Sequence, residues 1–274
     1  MNRQNSIDRS EEIFSKLRDS LISWQVPTEL VEEVVDRQPG ISFDRGAMVF
    51  CEGTADGFIA FVMSGFVKVY CSVGDGRRTL VRLAVPGDII GYQNYLDERD
   101  RCARLFEAQA SSKCSIALFS RDRIMRALEK LPPRNLVQLI ELMNTYWSQK
   151  LQWFATLLSL PFFDRLKLVM TDLSVRAGVK DSEGTLLIPI LGHEDFAEMI
   201  GCSRPMVSRL MSDMIDARII TRRGKNYVLL PKWDFDCLQT VDRTSRNGGH
   251  GANARSASHE NRSLAIPRSS GIAA

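Results

Sequence analysis

The amino-acid sequence predicts an α+β protein: an N-terminal antiparallel β-roll of the jelly-roll kind, one long helix, and a small C-terminal winged helix-turn-helix. Three observations predict it. Glycines at 46, 53, 57, 65, 74, 76, 87 and 91 cut residues 41–120 into short β-like runs. From Asn135 the apolar period becomes helical and stays so to Leu160. From Leu191 to Leu230 two short helical patterns flank Gly201-Cys202 and lead into a basic hairpin.

Residues 1–40 have helical spacing at Ile13, Phe14 and Leu17 and again from Pro27 to Val35, and are expected to cap one end of the roll. In the roll, Phe66, Lys68 and Tyr70 alternate with Val67, Val69 and Cys71, the period of a half-buried strand. Asp75-Gly76 is a hairpin turn signal, Thr79 to Val85 the returning strand, Pro86-Gly87-Asp88 a further turn, and Ser115 to Ser120 a last strand. Many short strands at near-regular spacing form a closed or double-sheet antiparallel fold. The expected division is 1–134 for the N-terminal helices and β-roll, 135–160 for the long helix, 161–240 for the winged helix-turn-helix, and 241–274 for a disordered tail.

In the long helix Leu136, Ile140, Met143, Trp147, Leu151, Phe154 and Leu158 recur at steps of three and four. Such a stripe either buries against its own domain or pairs with a second copy. A homodimer across it is expected, because one helix-turn-helix normally needs a second copy to read a site. Phe162 to Ala177 predicts a further helix joining the two modules, with Leu166, Leu168, Val169 and Leu173 apolar.

The segment from His193 carries the chemistry. Phe196, Met199 and Ile200 make the apolar side of its first helix. Gly201 breaks it, Ser203 stands where an N-cap belongs, and Pro205 falls in the next first turn, where a missing N–H is harmless. In the second helix Val207, Leu210, Met211 and Met214 form the buried stripe, leaving Arg204, Ser208, Arg209 and Ser212 outward. A helix entering the major groove by its N-terminal end can offer each arginine fork to the O6 and N7 of a guanine. Ser203 and the first helical N–H groups can hold a phosphate. The hairpin tip Arg222, Arg223, Gly224, Lys225 lies where a cationic wing would meet the duplex backbone. Residues 203–232 hold seven Lys/Arg against two Asp, whereas the whole chain carries only +3, so the basic character is local.

Composition bounds the rest. The chain is 44% hydrophobic and 25% charged over 274 residues, ordinary for a folded globular protein of two domains. No run approaches the roughly 18 apolar residues of a membrane span, and the polar start MNRQNSIDRSEEIF lacks a signal core, so a cytoplasmic protein without membrane partners is expected. The six cysteines show no metal-ligand spacing, and residues 1–192 contain no histidine. Neither a Gly-x-Ser-x-Gly nor a phosphate-loop motif occurs. An enzyme, a metal centre and a bound cofactor are therefore not expected. After Val241 the sequence turns Gly/Ser/Asn/Arg-rich, too poor in large apolar groups to offset its ordering entropy.

Ile200-GCSRPMVSRL, together with Ser64-GFVKVY, Asp75-Gly76 and Val85-PGDIIG, resembles the cyclic-AMP receptor protein and fumarate–nitrate regulator (CRP/FNR) family of bacterial transcription regulators over residues 12–235. The resemblance implies a cyclic-nucleotide-binding-like roll and a homodimer that binds a two-fold related site on double-stranded DNA, with RNA polymerase as a further partner if the protein activates. It places Arg204 and Arg209 at base-reading or base-proximal positions, Ser208 at the position that separates sub-families, and Ser203 and His193 near phosphates. Pro205 stands where the family usually has a glutamate, which implies a different half-site. Gly192 replaces the usual Thr/Ser cap of the first helix.

The roll departs further. Nucleotide-binding members carry a glutamate after the PGD turn and an Arg-Ser or Arg-Thr pair. Here Tyr92-Gln93 follows Gly91, and the aligned arginine is Arg104 before Leu105, with Arg101 a shifted substitute. A ribose diol and a phosphate need both an acceptor and a cationic cradle. The expectation is thus a regulator under effector or abundance control, with Tyr92, Gln93, Arg101 and Arg104 as the candidate effector pocket and cyclic AMP not its signal. Two alternatives remain at this level: a redox-responsive regulator using Cys102 and Cys114, and a cyclic-nucleotide-dependent one with a degenerate pocket. The cysteine cluster of iron–sulfur members is missing, since the first cysteine is Cys51.

Overall fold

The computed structural model describes residues 40–51, 58–73, 77–91, 106–187 and 191–233, with positions 15, 18, 26–28, 30 and 31. The expected helix around Ile13, Phe14 and Leu17, the Asp75-Gly76 turn, the pocket residues Tyr92, Gln93, Arg101 and Arg104, Cys102, and the tail from Val241 lie outside the described residues.

Two four-stranded antiparallel sheets make the roll. The first has the order β1 (Ile41–Phe43), β8 (Cys114–Ser120), β3 (Phe58–Ser64), β6 (Ile89–Ile90). The second runs β2 (Met48–Phe50), β7 (Phe106–Ala110), β4 (Val67–Val73), β5 (Arg77–Ala84). Ala60, Val62, Ile90, Cys114 and Ile116 of the first sheet meet Val49, Phe50, Val67, Val69, Ala84, Ala108 and Ala110 of the second in one core. The alternation of β4 holds only to Val69. A register shift between Val69 and Tyr70 inserts a bulge, and Tyr70 is buried along with Val67 and Val69.

The outer face of the first sheet is covered by helix. Phe61, Ala117 and Phe119 pack against Leu30, Val31, Ala127 and Leu131. Ala127 belongs to α1 (Arg121–Glu129), a helix that no long apolar period marks in the sequence. Ser120 caps it, accepting from the Arg123 amide. Then α2 (Pro133–Ser159) runs 27 residues, and α3 (Phe162–Ala177) follows after only Leu160 and Pro161. Val137, Ile140, Met143, Trp147, Leu151, Phe154 and Leu158 are exposed along α2 in this single chain. Leu136 departs from the expected stripe. It is half-buried against the roll, with Leu139, and Val137 stands outward in its place.

The C-terminal module is built from α4 (His193–Ile200), α5 (Arg204–Asp216) and a four-stranded antiparallel sheet ordered β11 (Ile220–Arg223), β12 (Asn226–Leu229), β10 (Gly184–Leu187), β9 (Val179–Asp181). The wing is therefore half of a larger sheet. Only the β11–β12 hairpin is marked in the sequence, because both helices separate it from the Val179–Leu187 pair. The core of this module, from Leu166, Leu168, Met170, Phe196, Ile200, Val207, Leu210, Met211 and Met214, continues without a break into Leu83 and Val85 of the roll. Among the described residues no helix is long and apolar enough to cross a membrane.

Candidate nucleic-acid interface

The turn between α4 and α5 is made by Gly201, left-handed at φ 73°, whose amide and that of Cys202 both return to the Ala197 carbonyl. Ser203 caps α5 by accepting from the Met206 amide at 3.4 Å. Pro205 follows in the first turn. The stripe Val207, Leu210, Met211, Met214 is buried. On the other side Ser203, Arg204, Arg209 and Ser212 are exposed and Ser208 is half-buried. Burying four apolar side chains in one stripe is what fixes the roll of α5 about its axis and turns its arginines outward.

The N-terminus of α4 takes no side-chain cap from Gly192. Asp195 compensates by accepting from the Gly192 amide at 2.7 Å. His193, in the first turn, joins three elements: Nδ1 lies 2.9 Å from Ser208 Oγ on α5 and Nε2 lies 2.8 Å from the Tyr227 hydroxyl on β12. The Ser208 hydroxyl donates to the Arg204 carbonyl at 3.2 Å. With that hydroxyl turned to Arg204, a neutral ring donates from Nδ1–H to Ser208 and accepts at Nε2 from Tyr227 O–H; the other tautomer reverses both bonds. Burial, then the Arg204 and Arg222 cations, hold the imidazole pKa below its ordinary 6.5, which agrees with a neutral ring. Tyr227 is not legible as a site residue in the sequence, since its partner lies 34 positions away.

The wing divides its cations. Lys225 and Arg222 are exposed at the tip, Arg222 Nε donating to the Gly224 carbonyl at 3.0 Å. Arg223 points the other way: it pairs with Asp181 and, at 2.9 Å, with Glu183 on the β9–β10 turn. Of the three tip cations, Arg223 therefore has carboxylate partners within its own sheet.

A second charged cluster lies at the seam between roll and C-terminal module. Buried Asp88, in the turn before β6, pairs with Arg176 of α3 and, at 2.7 Å, with Arg82 of β5. Arg176 also reaches Asp172 at 3.0 Å and the Leu83 carbonyl at 3.0 Å, and Arg82 donates to the Tyr146 hydroxyl of α2 at 3.1 Å. Lys68 of β4 pairs with Asp195, and Glu198 accepts from the Leu80 amide at 2.8 Å, so α4 is tied to the β4–β5 hairpin. No motif in the sequence signals these pairings. Cys114, one thiol of the redox alternative, is buried in the core of the roll, where desolvation pushes its pKa up.

Comparison with known proteins agrees with this architecture. The family model of the cyclic nucleotide-binding domain matches residues 41–130, and that of the Crp-like helix-turn-helix domain matches residues 164–234. The CRP-like cAMP-activated global transcriptional regulator of Mycobacterium tuberculosis is 24% identical over 204 residues, covering 74% of this chain and 88% of the relative. The CRP-like protein Clp of Xanthomonas campestris is 23% identical over 229 residues, covering 82% and 98%. Among solved structures, the c-di-GMP-responsive global regulator CLP of Xanthomonas campestris superposes with a TM-score of 0.59 at 20% identity, covering 75% of this chain and all of that one. FixK2 of Bradyrhizobium japonicum does so at 0.60 and 16%, covering 79% of this chain and 100% of its own. The Mycobacterium relative and the solved CLP are both described as global regulators. With a nucleotide-binding-type roll and a Crp-like helix-turn-helix in that order, together spanning more than half of its length, the chain belongs to the CRP/FNR family of transcription regulators and carries that family's DNA-binding domain.

Proposed function

We propose that the protein is a homodimeric, sequence-specific regulator that reads a two-fold related DNA site with α5 and self-associates through α2. One observation carries the reading: Arg204 and Arg209 stand exposed on the side of α5 opposite its buried stripe. Ser203, Ser208, Ser212 and His193 frame them, with Arg222 and Lys225 reaching the flanking backbone. Arg223 contributes only if it leaves Asp181 and Glu183. The seven exposed apolar side chains of α2 support the dimer, since a face of that size left in water is strongly unfavourable. We divide the chain functionally at 134, 160 and 240, with the roll as sensor and RNA polymerase as partner where the protein activates.

For the signal, the reading is an effector other than cyclic AMP, or control by abundance. Its support is chemical: no carboxylate follows Gly91 directly, where Tyr92-Gln93 stands, and no hydroxyl residue follows Arg104. The redox alternative is weakened by the burial of Cys114. Cyclic AMP and cyclic di-GMP, named in the descriptions of two similar proteins, are the first compounds to titrate.

The test is direct. Wild type should sediment as a dimer and select a palindromic site from a random duplex pool. Arg209→Ala should weaken the selected site by about 1–3 kcal/mol and relax one guanine position. Equal loss on selected and random duplexes contradicts base reading by this residue.

A further inference from the structure

The chain between α2 and α3 is only Leu160 and Pro161, a single-strand link that by itself would let the C-terminal module swing about the end of α2. Arg165, in the first turn of α3, bridges that link. Its Nη2 donates to the Leu158 carbonyl at 2.9 Å, in the last turn of α2. Its Nε donates to the Leu160 carbonyl at 2.8 Å, the C-cap. Its Nη1 donates to the Ile200 carbonyl at 3.1 Å, the last residue of α4.

The end of a helix leaves carbonyls without internal partners and concentrates partial negative charge, which a cation satisfies on both counts. Neither α2 nor α4 has a basic residue in its last turn. One guanidinium from a third helix serves both ends at once, and its planar fork suits three acceptors where a lysine would meet fewer. The carbonyl that Nη1 meets lies at the turn made by the left-handed Gly201. The Phe162 ring lies under the guanidinium at 5.0 Å and limits its swing.

We propose that Arg165 is a positioning residue: it sets the angle between α2 and the helix-turn-helix, and so the separation of the two recognition helices in the dimer. This rests on the homodimer reading above. Two half-sites are read about one duplex turn, roughly 34 Å, apart, so a fixed elbow on each subunit becomes a fixed spacing on DNA.

The experiment uses the full chain as wild type, Arg165→Met and Arg165→Lys. Duplex probes carry the half-site selected by wild type, either alone or as inverted pairs at the selected spacing and with one, two or three base pairs inserted. Wild type should discriminate sharply among spacings. Arg165→Met should lose about tenfold on the selected spacing, the effect of losing charge-assisted hydrogen bonds. It should treat all spacings nearly alike while its single half-site binding is unchanged. Arg165→Lys should fall between, and it serves as the second measure if the methionine variant does not fold. If either folded variant keeps wild-type spacing discrimination, or loses single and paired half-sites in equal proportion, the proposal is overturned. A wild type that sediments as a monomer, or shows no spacing preference, overturns the dimer reading and this inference with it. A dimeric, spacing-selective wild type matched by its variants overturns this inference alone.

Discussion

The same side chain does opposite work in two regions of this molecule. At the seam between the roll and the C-terminal module, Arg82 and Arg176 are largely withdrawn from water and share Asp88. On α5, Arg204 and Arg209 are exposed, turned away from the module's core. A guanidinium with a carboxylate partner inside the fold acts as a fastener. One held outward by a buried stripe beneath it remains available for a base or a phosphate. Arg223 shows that the division does not follow the outline of the molecule, because it is exposed and still paired with Asp181 and Glu183.

The largest break in this contrast should come at the seam. Arg176→Ala leaves Asp88 short of one cation in a nearly dry setting, and breaking a buried pair costs about 3–5 kcal/mol. Chemical denaturation should show a loss toward the lower figure, since Arg82 remains beside Asp88. A loss under about 1 kcal/mol would mean the seam is wet or dispensable.

A smaller effect is expected at His193, which links α4, α5 and the wing. Its folded pKa is depressed below 6.5, so between that lowered value and 6.5 the unfolded chain binds more protons than the folded one. The stability this site contributes is complete above the ordinary histidine range and is lost as pH falls through that window. His193→Gln should remove this share of the acid sensitivity. Tyr227→Phe should lower stability by about 1 kcal/mol at neutral pH, one neutral hydrogen bond. Parallel pH–stability curves for wild type and His193→Gln would show that the ring does not titrate as described.

The finest test separates two neighbouring cations of the wing. Lys225→Ala should weaken all duplexes alike and reduce the slope of log affinity against log salt by about one. Arg223→Ala should leave that slope nearly unchanged, because its charge is already matched by Asp181 and Glu183. Equal changes in slope would place Arg223 on the duplex instead.

The elements legible in the sequence share a physical character: their determinants lie within a few residues of one another. Helix α3 runs from Phe162 to Ala177 as its period predicts, and α5 starts at the Ser203 cap and buries the expected four side chains. Helix α2 follows its period within two residues at either end, yet Leu136 and Val137 exchange places, because the roll claims one side of the first turn. The bulge at Tyr70 likewise answers to the pairing of β4 with β5 and not to the alternation within β4. Helix α1 escapes a periodicity reading because its apolar face is short and packs on a sheet whose strands are distant in sequence.

By itself, the sequence determined the periodicities, caps and turns, and with them a roll, a long apolar-striped helix and an outward pair of arginines on a capped helix. These are local properties, set by backbone sterics and by the spacing of apolar residues. Only the tertiary structure decided which charged groups are occupied within the fold. Asp88 meets Arg176 across 88 positions and Arg165 meets Ile200 across 35, and no local pattern marks either contact. An ion pair or a helix-end hydrogen bond depends on distance in space, and that distance exists only once the chain has packed, roll against C-terminal module for Asp88 and α3 against α4 for Arg165.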